Sequence, residues 1–215
     1  MILFAGYRNW ALEAFRIVDN SIDIVINPNE LEEYLSKNKE IKIIFFVGWS
    51  WIVPNGIVKN YKCLCFHPSD LPNYKGGSPI QHQVLDGLKR TRATLFLMNE
   101  EIDAGPIFKK SAISLEGKLS EIFKSLTKSS SVLIKKYIDD SQSKKRINFT
   151  KQDPKDGFTK KRRKPSDSEI TIKELKNLKG EEILRKILVL DDPYPNAYFK
   201  TIDGKKLIIK KAILE

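Results

Sequence analysis

The sequence predicts an α/β fold with a mainly parallel sheet, followed by a small C-terminal appendage of helix and β-hairpin. Three observations point there. Short apolar runs alternate with stretches of helical spacing as far as residue 143. The run Ile41 to Val47 is uninterrupted and rich in β-branched and aromatic residues, as in strands buried on both faces. Beyond residue 165 the pattern changes to a helical stretch and then two short β-type runs around Asp203-Gly204.

The elements follow in order. Ile2 to Ala5 is a strand that ends at Gly6. Trp10, Ala11, Ala14, Phe15 and Val18 make one apolar stripe of a helix. Ile22 to Ile26 is a strand, and Asn27-Pro28 opens a short helix over Asn29 to Asn38. Lys62 to Phe66, Ala93 to Met98 and Ile107 to Ile113 are further strands. Ile80 to Leu88 and Leu119 to Ile138 have helical spacing. Residues 144–164 lack periodicity and contain Pro154 and Gly157, which reads as a linker. Thr171 to Leu190 reads as one helix, Asp191 to Pro195 as a turn, and Ala197–Thr201 with Lys206–Lys210 as a hairpin. The expected organisation is a core at 1–143, a basic linker at 144–165 and a subdomain at 166–215.

Composition excludes several classes. A chain of 215 residues can bury a core without disulfides or structural metal. It has no apolar run of about 18 residues, and its N-terminus has no basic region or cleavage site, so a cytoplasmic protein is expected. The formal charge of +11 is unevenly placed. Lys and Arg number 13 against 12 Asp and Glu up to Lys110, and 25 against 15 from Ser111 onward. The densest part, Lys144 to Lys164, holds 10 basic residues and 2 acids. Such a patch suits nucleic acid, anionic lipid or a phosphorylated small molecule, or is simply a solvated connector. The two cysteines, Cys63 and Cys65, form a C-x-C with no second pair, so neither a zinc site nor a disulfide is expected. No three-glycine dinucleotide fingerprint, phosphate loop or serine elbow is present.

The chemistry concentrates between Cys65 and Gly87. His67 follows a strand directly, where open α/β folds place ligands, and Pro68 stops that strand. Gly76, Gly77 and Pro79 shape the loop beyond it. After Ala93–Met98, Asp103 precedes an Ala-Gly turn and is expected at the same sheet edge. Together His67 and Asp103 would form an acid–base pair; the plainer alternative is a structural histidine and a turn-forming aspartate. His82, on a helix between two glutamines, reads as solvated or capping.

The string HPSxLPxYxGGSPIQ (His67 to Gln81) followed by TLFLMxxxIDAGPI (Thr94 to Ile107) resembles the folate-dependent formyltransferase family. Phe46 to Pro54 resembles that family's folate-side loop, and Arg162 to Ile170 and Asp192 to Tyr198 resemble segments beyond its catalytic core. The likeness is strong over residues 40–115 and weak elsewhere. It implies a Rossmann-like formyltransferase core, N10-formyltetrahydrofolate as co-substrate and no metal. The family uses an Asn-x-His pair and an Asp. His67 and Asp103 match the latter two, while Cys65 stands where the asparagine belongs. That asparagine is thought to donate to an oxyanion, and a thiol is a weak donor. A backbone N–H or protonated His67 would have to compensate, or catalysis is impaired; Cys65 as a nucleophile is the alternative.

On this resemblance the folate slot would be lined by Gly48, Trp49, Trp51, Ile52 and Pro54, faced by Leu97, Met98 and Ile102. For Leu97 a plain core role fits better. The acceptor side would comprise Arg8, Lys75, Gly77, Ser78 and Pro79, with some of Arg162 to Lys164 on phosphates. Among acceptors, the appendage resembles that of small sugar-nucleotide N-formyltransferases. The expected partner is therefore a small-molecule nucleotide sugar, with neither nucleic acid nor membrane, and a homodimer is compatible. Methionyl-tRNA, a hydrolytic release of formate, and a catalytically weak folate-binding protein are the alternatives.

Overall fold

The structure, a computed structural model, describes residues 1–19, 21–153 and 155–215. Pro154, cited above for the linker, lies outside the described residues. The first part runs β1 (Ile2–Ala5), α1 (Asn9–Val18), β2 (Asp23–Val25), α2 (Pro28–Lys37), β3 (Ile43–Val47), α3 (Asn55–Asn60) and β4 (Lys62–His67). It continues with β5 (Lys75–Gly76), α4 (Pro79–Leu85), β6 (Arg90–Leu97), β7 (Ile107–Ser114) and α5 (Leu119–Gln142). Last come β8 (Thr159–Lys160), a 3-10 turn at Pro165–Ser168, α6 (Ile172–Asn177), α7 (Gly180–Val189), β9 (Tyr198–Lys200) and β10 (Lys206–Ile208).

Six strands form the central sheet in the order β2-β1-β3-β4-β6-β7. The first four are mutually parallel, whereas β6 is antiparallel to β4 and β7 to β6. The mainly parallel sheet predicted from sequence is therefore present, with an antiparallel hairpin at one edge. Strand alternation sends successive side chains into two cores. Phe4, Phe45, Val47, Leu64 and Phe66 pack with α1 and α5, while Leu3, Ala5, Ile44, Phe46 and Cys63 pack with α2. Thr127 Oγ1 on α5 donates to the Trp10 carbonyl at 2.9 Å, fastening α5 to α1.

Two expectations change. The single helix predicted over Thr171–Leu190 is two, because Leu178 and Lys179 are extended and α7 restarts at Gly180. Glycine is a poor interior helix residue, and each helix closes its own start with a glutamate: Glu174 on the Thr171 N–H, Glu182 on the Lys179 N–H. The segment 144–165 is also more than a connector. Thr150 exchanges both backbone hydrogen bonds with Ile107 at 2.7 and 2.8 Å, and β8 pairs in parallel with β5. Ile147 and Phe149 pack against the main core. Among the described residues no helix is long and apolar enough to cross a membrane.

Candidate active site

His67 ends β4 and is 6% exposed. Its Nε2 lies 2.8 Å from the Tyr74 carbonyl oxygen. A carbonyl only accepts, so Nε2 carries a hydrogen and Nδ1 is the nitrogen left for chemistry. Nδ1 lies 3.4 Å from Asp103 Oδ2. The loop that brings Tyr74 back to His67 is pinned from beneath. Thr94 Oγ1 donates to the Ser69 carbonyl at 2.7 Å, and Ser69 Oγ donates to the Asn73 carbonyl at 2.7 Å. Tyr74 itself is left-handed, with φ +56°. Its hydroxyl donates to Asp86 at 2.9 Å, and its ring meets Phe158 edge-on at 4.6 Å.

Asp103 reaches the histidine by a route the sequence does not suggest. Because β6 is antiparallel to β4, the segment after Leu97 leaves at the start of β4, where Met98 N–H bonds the Cys63 carbonyl. Asp103 thus does not come off the same sheet edge as His67; residues 98–103 return along β4 to meet it. The return needs a left-handed residue, and Asp103 has φ +53°. Its Oδ2 accepts the Gly76 N–H at 2.8 Å, while Gln152 Nε2 donates to the Asp103 and Gly105 carbonyls at 3.0 and 2.7 Å.

Cys65 shares the His67 face of β4, two residues back. Burial pushes its thiol well above the usual range, and the Asp103 carboxylate and Cys63 push the same way. A thiol held protonated is a poor nucleophile.

These three residues open into one cavity of about 650 Å³. Gly48, Trp49, Trp51, Ile52, Met98 and Ile102 line it as expected, and so do Arg8, Gly77, Ser78 and Pro79. Three expected residues do not. Leu97 alternates with Phe96 and Met98 and so turns its side chain away from the cavity. Pro54 is exposed at the start of α3, and Lys75 is buried within the β5–β8 pair. Trp49 packs edge-on against Phe46 and Trp51, with centroids at 5.6 and 4.9 Å, and its indole Nε1 is buried without an acceptor among the described residues. His82 is not free: its Nε2–H donates to the Lys161 carbonyl at 2.9 Å.

Beside the 48–51 segment the cavity lining is also cationic. The Arg8 guanidinium stands 4.8 Å from the Tyr7 ring centroid and 5.4 Å from that of Tyr194. Arg162 donates to the Ser50 carbonyl at 3.0 Å. Burial raises the Tyr194 phenol, and nearby Arg8 and Arg162 oppose that rise. Among the described residues neither Arg8 nor Arg162 forms a salt bridge. Sequence reasoning assigned no role to Tyr74, Gln152 or Tyr194. Tyr74, a fixed letter of the HPSxLPxYxGGSPIQ string, and Tyr194, inside the D-P-Y-P-N-A-Y string, each carried a signal that could have found it; Gln152 carried none.

Residues 26–136 match the family described as formyl transferase. The chain belongs to the formyl transferase family. The methionyl-tRNA formyltransferase of Rickettsia prowazekii (strain Madrid E) is 33% identical over 88 residues, which span 40% of this chain and 29% of that protein. The solved structure of methionyl-tRNA formyltransferase from Clostridium thermocellum superposes with a TM-score of 0.80 at 30% identity, covering 97% of this chain and 96% of that one. A 4-N formyltransferase from Francisella tularensis superposes with a TM-score of 0.73 over 100% and 98% of the two chains. At 20% identity it is similar in fold alone. The sheet described above is thus the Rossmann-like sheet of the formyl transferase fold.

Proposed function

We propose that this chain transfers a formyl group from N10-formyltetrahydrofolate to the amine of a nucleotide-linked amino-deoxy sugar. The observation that carries the reading is the His67–Asp103 pair, which opens into one cavity lined both by apolar Trp49, Trp51 and Ile52 and by Arg8 and Arg162. A folate suits the slot, because Trp49 and Trp51 offer flat apolar walls to a heterocycle. Ile52 and Ile102, exposed at 84% and 63%, would flank the same ligand at the rim. When bound, N10-formyltetrahydrofolate supplies an activated formyl carbon.

The protein's own groups manage the proton and the charge. An amine that is acylated must lose a proton, and His67 Nδ1 with Asp103 Oδ2 offers a place to receive it. Tyr74 prevents the imidazole from presenting its other nitrogen. Once doubly protonated, His67 sets a positive charge beside a developing oxyanion, where Cys65 offers only a weak S–H. Arg8 and Arg162 are free to take a phosphate of the acceptor, because no carboxylate neutralises them among the described residues.

A second reading is methionyl-tRNA as acceptor, favoured by the similarity to the Clostridium thermocellum structure over nearly the whole chain. The deciding experiment measures N10-formyltetrahydrofolate consumption against a panel of nucleotide-linked amino sugars and charged methionyl-tRNA. Acceleration by a sugar with shallow salt dependence supports the first reading. Activity on tRNA alone, falling steeply with salt, replaces it with the second.

A further inference from the structure

We infer that Gln152 is a positioning residue of the catalytic pair, holding Asp103 in the turn that keeps its carboxylate on His67. The inference rests on the formyl-transfer reading for its meaning, but its geometry is independent of any substrate. Asp103 adopts φ +53°, a conformation that non-glycine residues keep only when their surroundings impose it. Aspartate enters this region more readily than most residues, and its carboxylate accepts the Gly76 N–H and faces His67. One side chain holds the backbone on either side. The Gln152 amide gives one hydrogen to the Asp103 carbonyl at 3.0 Å and the other to the Gly105 carbonyl at 2.7 Å.

Gln152 is in turn placed from below. Two residues earlier, Thr150 exchanges both backbone hydrogen bonds with Ile107, at the far end of the same turn. The turn has no slack: a Cβ on Gly105 would come within 1.8 Å of the Leu97 carbonyl oxygen. A short staple from Thr150 to Gln152 therefore closes the loop that carries Asp103. Farther along the same segment, Phe158 packs on Tyr74, whose carbonyl holds the opposite nitrogen of His67. Both sides of the imidazole are thus set by residues 150–158.

The test uses the two histidines of the chain, His67 and His82, as spectroscopic reporters. Protein with 15N-labelled histidine is compared at one pH as wild type, Gln152→Ala, Gln152→Glu and Asp103→Ala, with His82→Gln to assign the signals. Gln152→Glu keeps the size of the side chain and removes both donors, so it serves if the alanine variant folds poorly. The expected result is that both Gln152 variants move the His67 ring signals towards their Asp103→Ala positions and leave those of His82 in place. His67 signals unchanged from wild type in folded Gln152 variants would overturn the inference. Since no substrate is involved, that failure is separate from a failure of the proposed reaction. In the active enzyme the same variants should lower kcat by about 10–100-fold with KM values nearly unchanged. Gln152→Ala should add no further loss in an Asp103→Ala background.

Discussion

His67 gives its Nε2 hydrogen to the Tyr74 carbonyl at 2.8 Å, so only Nδ1 faces the carboxylate of Asp103. With one nitrogen committed to the backbone, the ring cannot relay a proton from one nitrogen to the other. Proton exchange is confined to one edge. His67→Ala and Asp103→Asn should each slow formyl transfer by roughly 10²–10⁴-fold, the range of general acid–base contributions. Single-turnover rates, with thermal unfolding as a fold control, check this. Near-normal rates in His67→Ala would remove the pair from the chemistry.

Cys65 should be inert as a nucleophile. Burial and the Asp103 carboxylate keep its thiol protonated, so iodoacetamide at neutral pH should neither label it quickly nor abolish activity. Replacing it by asparagine, a better donor in the same position, should raise the transfer rate by up to about 10²-fold. A rate that drops in Cys65→Ala as far as in His67→Ala would assign the sulfur a chemical role after all.

Gly77 is a tight packing point between the catalytic loop and the basic segment. A Cβ there would sit 2.4 Å from the Arg162 Cα, a backbone atom that cannot swing aside. Gly77→Ala should therefore cost about 1–3 kcal/mol of stability and displace Arg162. Denaturant titration measures the first effect, and a raised acceptor KM the second.

Arg8 and Arg162 should discriminate phosphate-bearing acceptors from bare amino sugars. Alanine at either position should raise the acceptor KM by about tenfold, in line with the loss of one charge-assisted hydrogen bond, and leave the folate KM unchanged. Equal effects on both substrates would place the arginines elsewhere in the reaction.

Acid should weaken the Glu174–Lys186 contact of the C-terminal part. Burial alone would raise Glu174 from 4.5, but its bonds to Lys186 and Thr171 outweigh that and lower it. A carboxylate depressed in the folded state contributes stability above its unfolded value, and that contribution is lost as pH falls through the folded one. Stability should therefore hold above pH 4.5 and decline below it, with a shallower decline in Glu174→Gln. Urea titrations between pH 3 and 6 give the slopes.

The strands that carry the site were legible because they are apolar runs with sharp ends: Ile41–Val47 became β3, and Pro68 marks the end of β4 at His67. That His67 and Asp103 meet was legible from two ordered motifs, and most of the cavity wall from the Phe46–Pro54 string, none of which local composition alone would have singled out. The antiparallel direction of β6 was not, since an apolar strand reads the same in either sense. The roles of Tyr74 and Gln152 were hidden for a different reason. Tyr74 contributes a main-chain oxygen, which any residue has, and Gln152 acts 49 positions from its partner inside an aperiodic stretch. Lys75 and Pro54 misled because loop residues beside a motif look equally available until strand pairing and exposure are known.

The pairing of Lys75–Gly76 with Thr159–Lys160 fixes where this protein can be cut or recombined. A chimera joined at residue 143 would inherit a histidine and an aspartate without the Gln152 and Phe158 that pack against their loops. A graft intended to exchange acceptor preference must carry its donor's own strand through residue 163 or remake Gly77 to match. Over evolutionary time the two stretches are expected to change together, as one part rather than as a catalytic unit and its tether.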